Sequence, residues 1–243
     1  MIKINKINKK FGEKTVLKNI TFNLEKGKCY GIFGNNGVGK TTLTKIVFNE
    51  IIADSGEITL DEVNQKEIDY LKWYFFVENN ELPADISVIS YIKIIMNTHN
   101  IKNSDLNYNI ETFKSFLDIN LIKNTLIKKI SAGQKKLLSL FIMVLLKPKV
   151  IFFDEPTANL DIANKDLLLK VIQQTIGPET YVIIITHLIE EVKDLIDHII
   201  IIDDGEVTYD KKYDKQENIT KIFRENTKNL NKDIEKIMGV SNA

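Results

Sequence analysis

The chain has 243 residues, 44% of them hydrophobic and 27% charged, a balance that favours a folded domain over a disordered chain. Lys and Arg number 33 and Asp and Glu 33, so there is no net field to gather nucleic acid, and nucleic acid is not expected as a partner. The longest unbroken apolar run, Leu140 to Leu146, is far short of the roughly 20 residues of a membrane-spanning helix.

In chain order, Ile2, Ile4 and Ile7 alternate with polar residues as in a half-buried strand, and a turn follows at Phe11-Gly12-Glu13. Lys3, Lys6, Lys9 and Lys10 stand among these isoleucines without an apolar block, so no signal peptide is expected and a cytoplasmic location follows. Lone Cys29 can form no internal disulfide, which agrees with a reducing compartment. Val16 to Leu24 and Cys29 to Phe33 read as further strands, and Lys40 to Asn49 as a helix with Leu43, Ile46 and Val47 on one face. Trp73 to Val77 reads as a strand, and Ser87 to Met96 and Ile110 to Leu117 as helices of an insert. Val150 to Phe153 and Tyr181 to Ile185 are the apolar runs expected of strands buried on both faces of a parallel sheet. From Lys211 onward the chain is charged, with Ile219, Ile222, Phe223, Leu230, Ile234 and Ile237 spaced for one or two amphipathic helices. The alternation of strands and helices predicts an α/β fold.

Two stretches carry phosphate chemistry. Gly34-Asn35-Asn36-Gly37-Val38-Gly39-Lys40-Thr41 fits the pattern glycine, four residues, glycine, lysine, Ser or Thr, between a predicted strand and a predicted helix. Glycines let backbone N–H groups wrap phosphates, the helix N-terminus adds partial positive charge, Lys40 reaches the outer phosphates and Thr41 offers a hydroxyl to Mg2+. Thr42 continues the helix start and is counted with the binding residues. Downstream, Asp154 and Glu155 end the run Val150 to Phe153, at the strand end where ligands of open parallel sheets collect. Asp154 is a hard-oxygen donor suited to Mg2+. Glu155 is placed to orient and polarise a water for attack on a phosphate.

With four further segments in order, the stretch from Phe11 to His187 resembles the ATP-binding cassette (ABC) ATPases. Ile130-Ser131-Ala132-Gly133-Gln134 resembles the family signature LSGGQ, Ala158-Asn159-Leu160-Asp161 the D-loop, Thr186-His187 the switch histidine and Phe11 the aromatic that stacks on adenine. The resemblance implies a P-loop NTPase (RecA-like) core sheet with an antiparallel β subdomain and an inserted α-helical subdomain. It also implies one cassette, with 1–78 and 149–210 as the nucleotide-binding lobe, 79–148 as the helical subdomain and 211–243 as a helical extension. By the same resemblance, ATP and Mg2+ bind to Gly34, Asn35, Asn36, Gly37, Val38, Gly39, Lys40, Thr41, Thr42, Asp154 and Phe11 of one chain, with Ser131, Gly133, Gln134 and Asp161 at the junction with a second. Lys40, Glu155 and His187 would carry hydrolysis.

The chain departs from the pattern in three places. Where the family has a Gln touching Mg2+ and water, Glu78 aligns, with Asn79 or Asn80 as the alternative register. A carboxylate there can serve a metal while adding negative charge beside the phosphates. Ala132 replaces the first paired glycine, and Leu137 stands where a basic residue is frequent.

The resemblance implies an ATPase subunit on the cytoplasmic face of the membrane. Its expected partners are a second copy of itself, or a homologous subunit, and a transmembrane permease, which Leu82, Pro83, Ile86 and Tyr91 are candidates to touch. Export of a peptide, drug or similar solute is the leading reading, and a soluble ATPase of the iron-sulfur assembly type is the alternative.

Overall fold

The alternating isoleucines at the start form the expected strand: Ile2, Ile4 and Ile7 are buried while the residues between them are more open. The computed structural model describes residues 1–77, 82–158 and 160–228. In chain order the strands are β1 (Ile2–Phe11), β2 (Lys14–Leu24), β3 (Lys28–Phe33), β4 (Ser55–Leu60), β5 (Val63–Asn64), β6 (Trp73–Phe76), β7 (Val150–Asp154), β8 (Tyr181–Thr186), β9 (His198–Asp203) and β10 (Glu206–Lys212). The α-helices are α1 (Lys40–Val47), α2 (Val88–His99), α3 (Asn103–Phe113), α4 (Ile119–Ile122), α5 (Ala132–Leu146), α6 (Ile162–Thr175), α7 (Ile189–Val192) and α8 (Ile219–Glu225). The chain divides into two units, one of Met1–Ile68 with Ile184–Ala243, the other of Asp69–Ile183.

In the first unit, β2, β1, β4 and β5 lie side by side as an antiparallel sheet. β3 pairs in parallel with β9, Tyr30 opposite His198 through Phe33 opposite Ile201, and β10 pairs antiparallel with the other edge of β9. The isoleucines at 199–202 are fully buried, so β9 is covered on both faces, as parallel strands require. β4, β5, β9 and β10 were not among the sequence-predicted strands. β10 alternates apolar with charged residues and ends in lysines, which masks its strand character.

In the second unit, β6 and β7 pair in parallel, Trp73 opposite Val150 through Phe76 opposite Phe153. Trp73 stacks on Phe152 at 6.4 Å and Phe76 meets Phe153 at 5.6 Å, so aromatic pairs add to the burial that holds this edge. α5 is apolar nearly all round and buried from Lys136 through Met143, the pattern of a helix in the middle of a core. Phe113 of α3 meets Phe141 of α5 edge to face at 5.6 Å. The helix expected at Ile110 to Leu117 is displaced: α3 runs over Asn103–Phe113, and residues 114–116 are a turn. Leu106, Ile110 and Phe113 form its buried face, and the polar residues between them hid the period. Among the described residues, no helix is long and apolar enough to cross a membrane.

α8 takes up the Ile219, Ile222 and Phe223 part of the expected C-terminal helices. Leu230, Ile234 and Ile237 lie outside the described residues.

Candidate active site

In the first unit, the glycine-rich loop leaves β3 at Phe33 and enters α1 at Lys40. Gly37 and Gly39 have φ of 81° and 107°, a region that L side chains avoid, and this turns successive backbone N–H groups inward. A Cβ on Gly34 would lie 2.4 Å from the Ile202 carbonyl, and one on Gly39 would lie 2.6 Å from Leu17 Cδ2. The cradle is thus pressed between β9 and β2, and only glycine fits both positions. Gly39 caps α1 without a side-chain acceptor, so the first N–H groups of the helix face outward toward any anion seated there. Lys40 is 7% exposed, and its ammonium donates to the carbonyls of Gly34 at 2.7 Å and Asn35 at 3.1 Å. The cation is therefore held over the loop. Asn35 and Val38 are half-buried, Asn36 and Thr41 exposed and Thr42 half-buried.

Phe11, at the end of β1, is 49% exposed, with the Lys9 ammonium 5.3 Å from its ring centre. An aromatic face left this open is available for stacking. His187 follows β8 directly and is exposed, while Thr186 is fully buried and its hydroxyl accepts from the Leu188 amide at 2.9 Å. That short turn sets the direction in which His187 leaves the sheet.

In the second unit, Asp154 ends β7 and Glu155 follows, 8% and 7% exposed. Glu155 has φ of 45°, and its carbonyl accepts from the Ala158 amide at 3.2 Å, closing a tight turn around Pro156 and Thr157. Ser131 caps α5 with a reciprocal box. Its hydroxyl accepts from the Gln134 amide, and the Gln134 side chain accepts from the Ser131 amide. Ser131 is exposed, and among the described residues a Cβ on Gly133 would meet nothing nearer than Ser131 Oγ at 4.0 Å. Asp161 caps α6, accepting from the Asn164 amide at 2.9 Å, and this bond holds its carboxyl below the ordinary value. Glu78, its alternatives Asn79 and Asn80, and Asn159 of the D-loop lie outside the described residues.

One residue beside this machinery escaped the sequence reading. Lys136 is 4% exposed and its ammonium donates to the carbonyls of Glu155 at 3.3 Å and Ala158 at 2.6 Å. Leu137, where the family frequently has a basic residue, is buried, and a lysine stands one position earlier. The signal in the sequence is a lysine directly preceding the apolar stretch of α5.

The ABC transporter family model matches residues 17–158, more than half of the chain. The chain belongs to the ABC transporter family. The lantibiotic transport ATP-binding protein SrtF of Streptococcus pyogenes is 29% identical over 92% of this chain and 96% of its own length. A solved structure of an ATP-binding subunit of an ABC transporter superposes with a TM-score of 0.82 at 16% identity, covering 98% of this chain and 99% of that one. A dimeric structure of a post-hydrolysis state of an ATP-binding cassette, bound to ADP and Pi, superposes with a TM-score of 0.75 at 21% identity, covering 87% of this chain and 98% of that one. The fold is that of the ABC cassette, the expected α/β P-loop NTPase. As a member of the family, the chain is an ATP-binding ATPase subunit of an ABC transporter.

Proposed function

We propose that the chain is the motor of an exporter, closing head to tail on a second copy of itself or a homologous ATPase subunit when ATP binds and opening after hydrolysis. One observation carries this reading. Gly133 stands on an accessible helix start where nothing among the described residues forbids a side chain. A glycine that its own chain does not need suits close approach by a group from outside, here the terminal phosphate held by another chain's loop.

In this reading Gly34, Asn35, Asn36, Gly37, Val38, Gly39, Lys40, Thr41 and Thr42 bind the phosphates of ATP, and Phe11 stacks on adenine. Thr41 and Asp154 are hard-oxygen donors of the kind that suit Mg2+, with Glu78 as a third in the expected register; bound there, the metal would neutralise phosphate charge. Glu155 polarises the attacking water, His187 contacts the terminal phosphate and Lys40 stabilises charge as it develops. Ser131, Gly133, Gln134 and Asp161 act at the junction with the second chain. Because the Ser131 hydroxyl accepts from the helix, its own hydrogen is left to donate to a phosphate.

The transport class rests on SrtF, whose name concerns lantibiotic transport and whose length the chain shares almost wholly. A peptide or similar solute is accordingly the proposed cargo, carried by a separate permease, with this chain on the cytoplasmic face of the membrane. The helical subdomain, residues 79–148, would meet that permease through Leu82, Pro83, Ile86 and Tyr91, of which Pro83 is exposed and the others half-buried. A soluble ATPase of iron-sulfur assembly is not favoured, since the relative is a transport subunit. Co-purification of the tagged chain from detergent-solubilised membranes tests the reading: a polytopic membrane protein is expected, and a soluble scaffold partner alone would overturn it.

A further inference from the structure

Lys136 lies at the start of the buried, mostly apolar stretch of α5, yet it carries a charge at 4% exposure. Burying an ammonium is costly unless its donors are satisfied. Here the carbonyls of Glu155 and Ala158 accept from it, and the Phe76 ring lies 5.9 Å from it. Those two carbonyls are the two ends of the turn that carries Glu155 away from β7. The turn needs holding: Glu155 has φ of 45° although it is not glycine, and it directly precedes Pro156, which further restricts its backbone. Lys136 also sits one turn into the helix whose start bears Ser131 and Gly133. A shift of that helix start therefore pulls on the backbone of Glu155.

We propose that Lys136 is a positioning residue that fixes the strained backbone of Glu155 and ties the aim of its carboxylate to the signature helix. The inference rests on the reading of Glu155 as the residue that polarises the attacking water. Lys136 touches the backbone of Glu155 rather than substrate, so its loss acts on turnover through Glu155.

The test compares steady-state phosphate release and ATP affinity for the wild-type chain, Glu155→Gln, Lys136→Met and Lys136→Arg, with folding checked by thermal melting. Met preserves the stem and suits the apolar surroundings, whereas Arg restores the donors. Lys136→Met is expected to lower kcat by roughly ten- to a hundredfold, the cost of a misplaced reacting group, while ATP affinity stays within about twofold and Lys136→Arg regains most of the rate. Should Lys136→Met fail to fold, Lys136→Leu, which likewise removes the donors, takes its place and is expected to turn over well below wild type. A folded Met or Leu variant at the wild-type rate, or a fall in kcat matched by an equal fall in ATP affinity, overturns the proposal. If Glu155→Gln turns over like wild type, the reading of Glu155 fails and this proposal falls with it. An inactive Glu155→Gln beside a fully active Lys136→Met sinks the positioning role alone.

Discussion

Ser131 and Gln134 satisfy each other at the start of α5: the serine hydroxyl accepts from the Gln134 amide at 3.1 Å, and the Gln134 side chain accepts from the Ser131 amide at 2.9 Å. The helix end is thereby finished from within, and Gly133 contributes no packing to it. Gly133→Ala should leave the fold intact or raise its stability by up to about 1 kcal/mol, because alanine narrows the unfolded ensemble. The same variant should lose ATP-driven association. Thermal melting and gel filtration with ATP measure the two effects, and a variant that still associates like wild type contradicts the role given to this glycine.

Lys40 is held on the loop by the carbonyls of Gly34 and Asn35. Lys40→Ala removes a charge-assisted donor to phosphate, an interaction of about 1.5–3 kcal/mol, so ATP affinity should fall roughly ten- to a hundredfold. Calorimetric titration with ATP decides this. Unchanged affinity would show that the loop binds without its lysine.

Gly37 and Gly39 share a left-handed backbone but not the same surroundings. Among the described residues nothing lies within 4 Å of a Cβ on Gly37, whereas one on Gly39 meets Leu17 Cδ2 at 2.6 Å and the Val16 carbonyl at 3.0 Å. Gly37→Ala carries backbone strain alone, about 1–3 kcal/mol, and Gly39→Ala adds a collision with β2. The melting temperature should drop more for Gly39→Ala. Equal drops would mean that β2 does not press on the loop.

Cys29 is fully buried in β3, and burial pushes its thiol well above the ordinary value. The native chain should resist thiol reagents at pH 8 and react fully once unfolded in guanidinium. Because the folded value is raised, the thiol's contribution to stability is whole below the unfolded value of about 8.5 and declines as the pH rises through and beyond it. Rapid labelling of the native chain would contradict the burial.

Much of this site is legible in the sequence because its chemistry lies in short contiguous segments. The loop from Gly34 to Thr41 carries its own strand, glycines and helix start, and Asp154 and Glu155 follow an unmistakable apolar run. What escaped is what depends on distant segments or on masked periodicity. Leu106, Ile110 and Phe113 define α3 only once the asparagines between them are discounted, and β10 is concealed by its charges. Lys136 reads as one of two adjacent lysines on a helix. Its contact with the Glu155 turn comes from tertiary packing, which no local pattern encodes.

In the proposed cycle ATP closes two such chains on each other, and Glu155 is needed to release them. Gel filtration of Glu155→Gln with and without ATP, beside phosphate release by the wild-type chain, tests it most directly. A dimer that forms only with ATP and persists in the variant, with release of phosphate abolished, is the predicted result. A variant that stays monomeric with ATP, or releases phosphate at the wild-type rate, would contradict it.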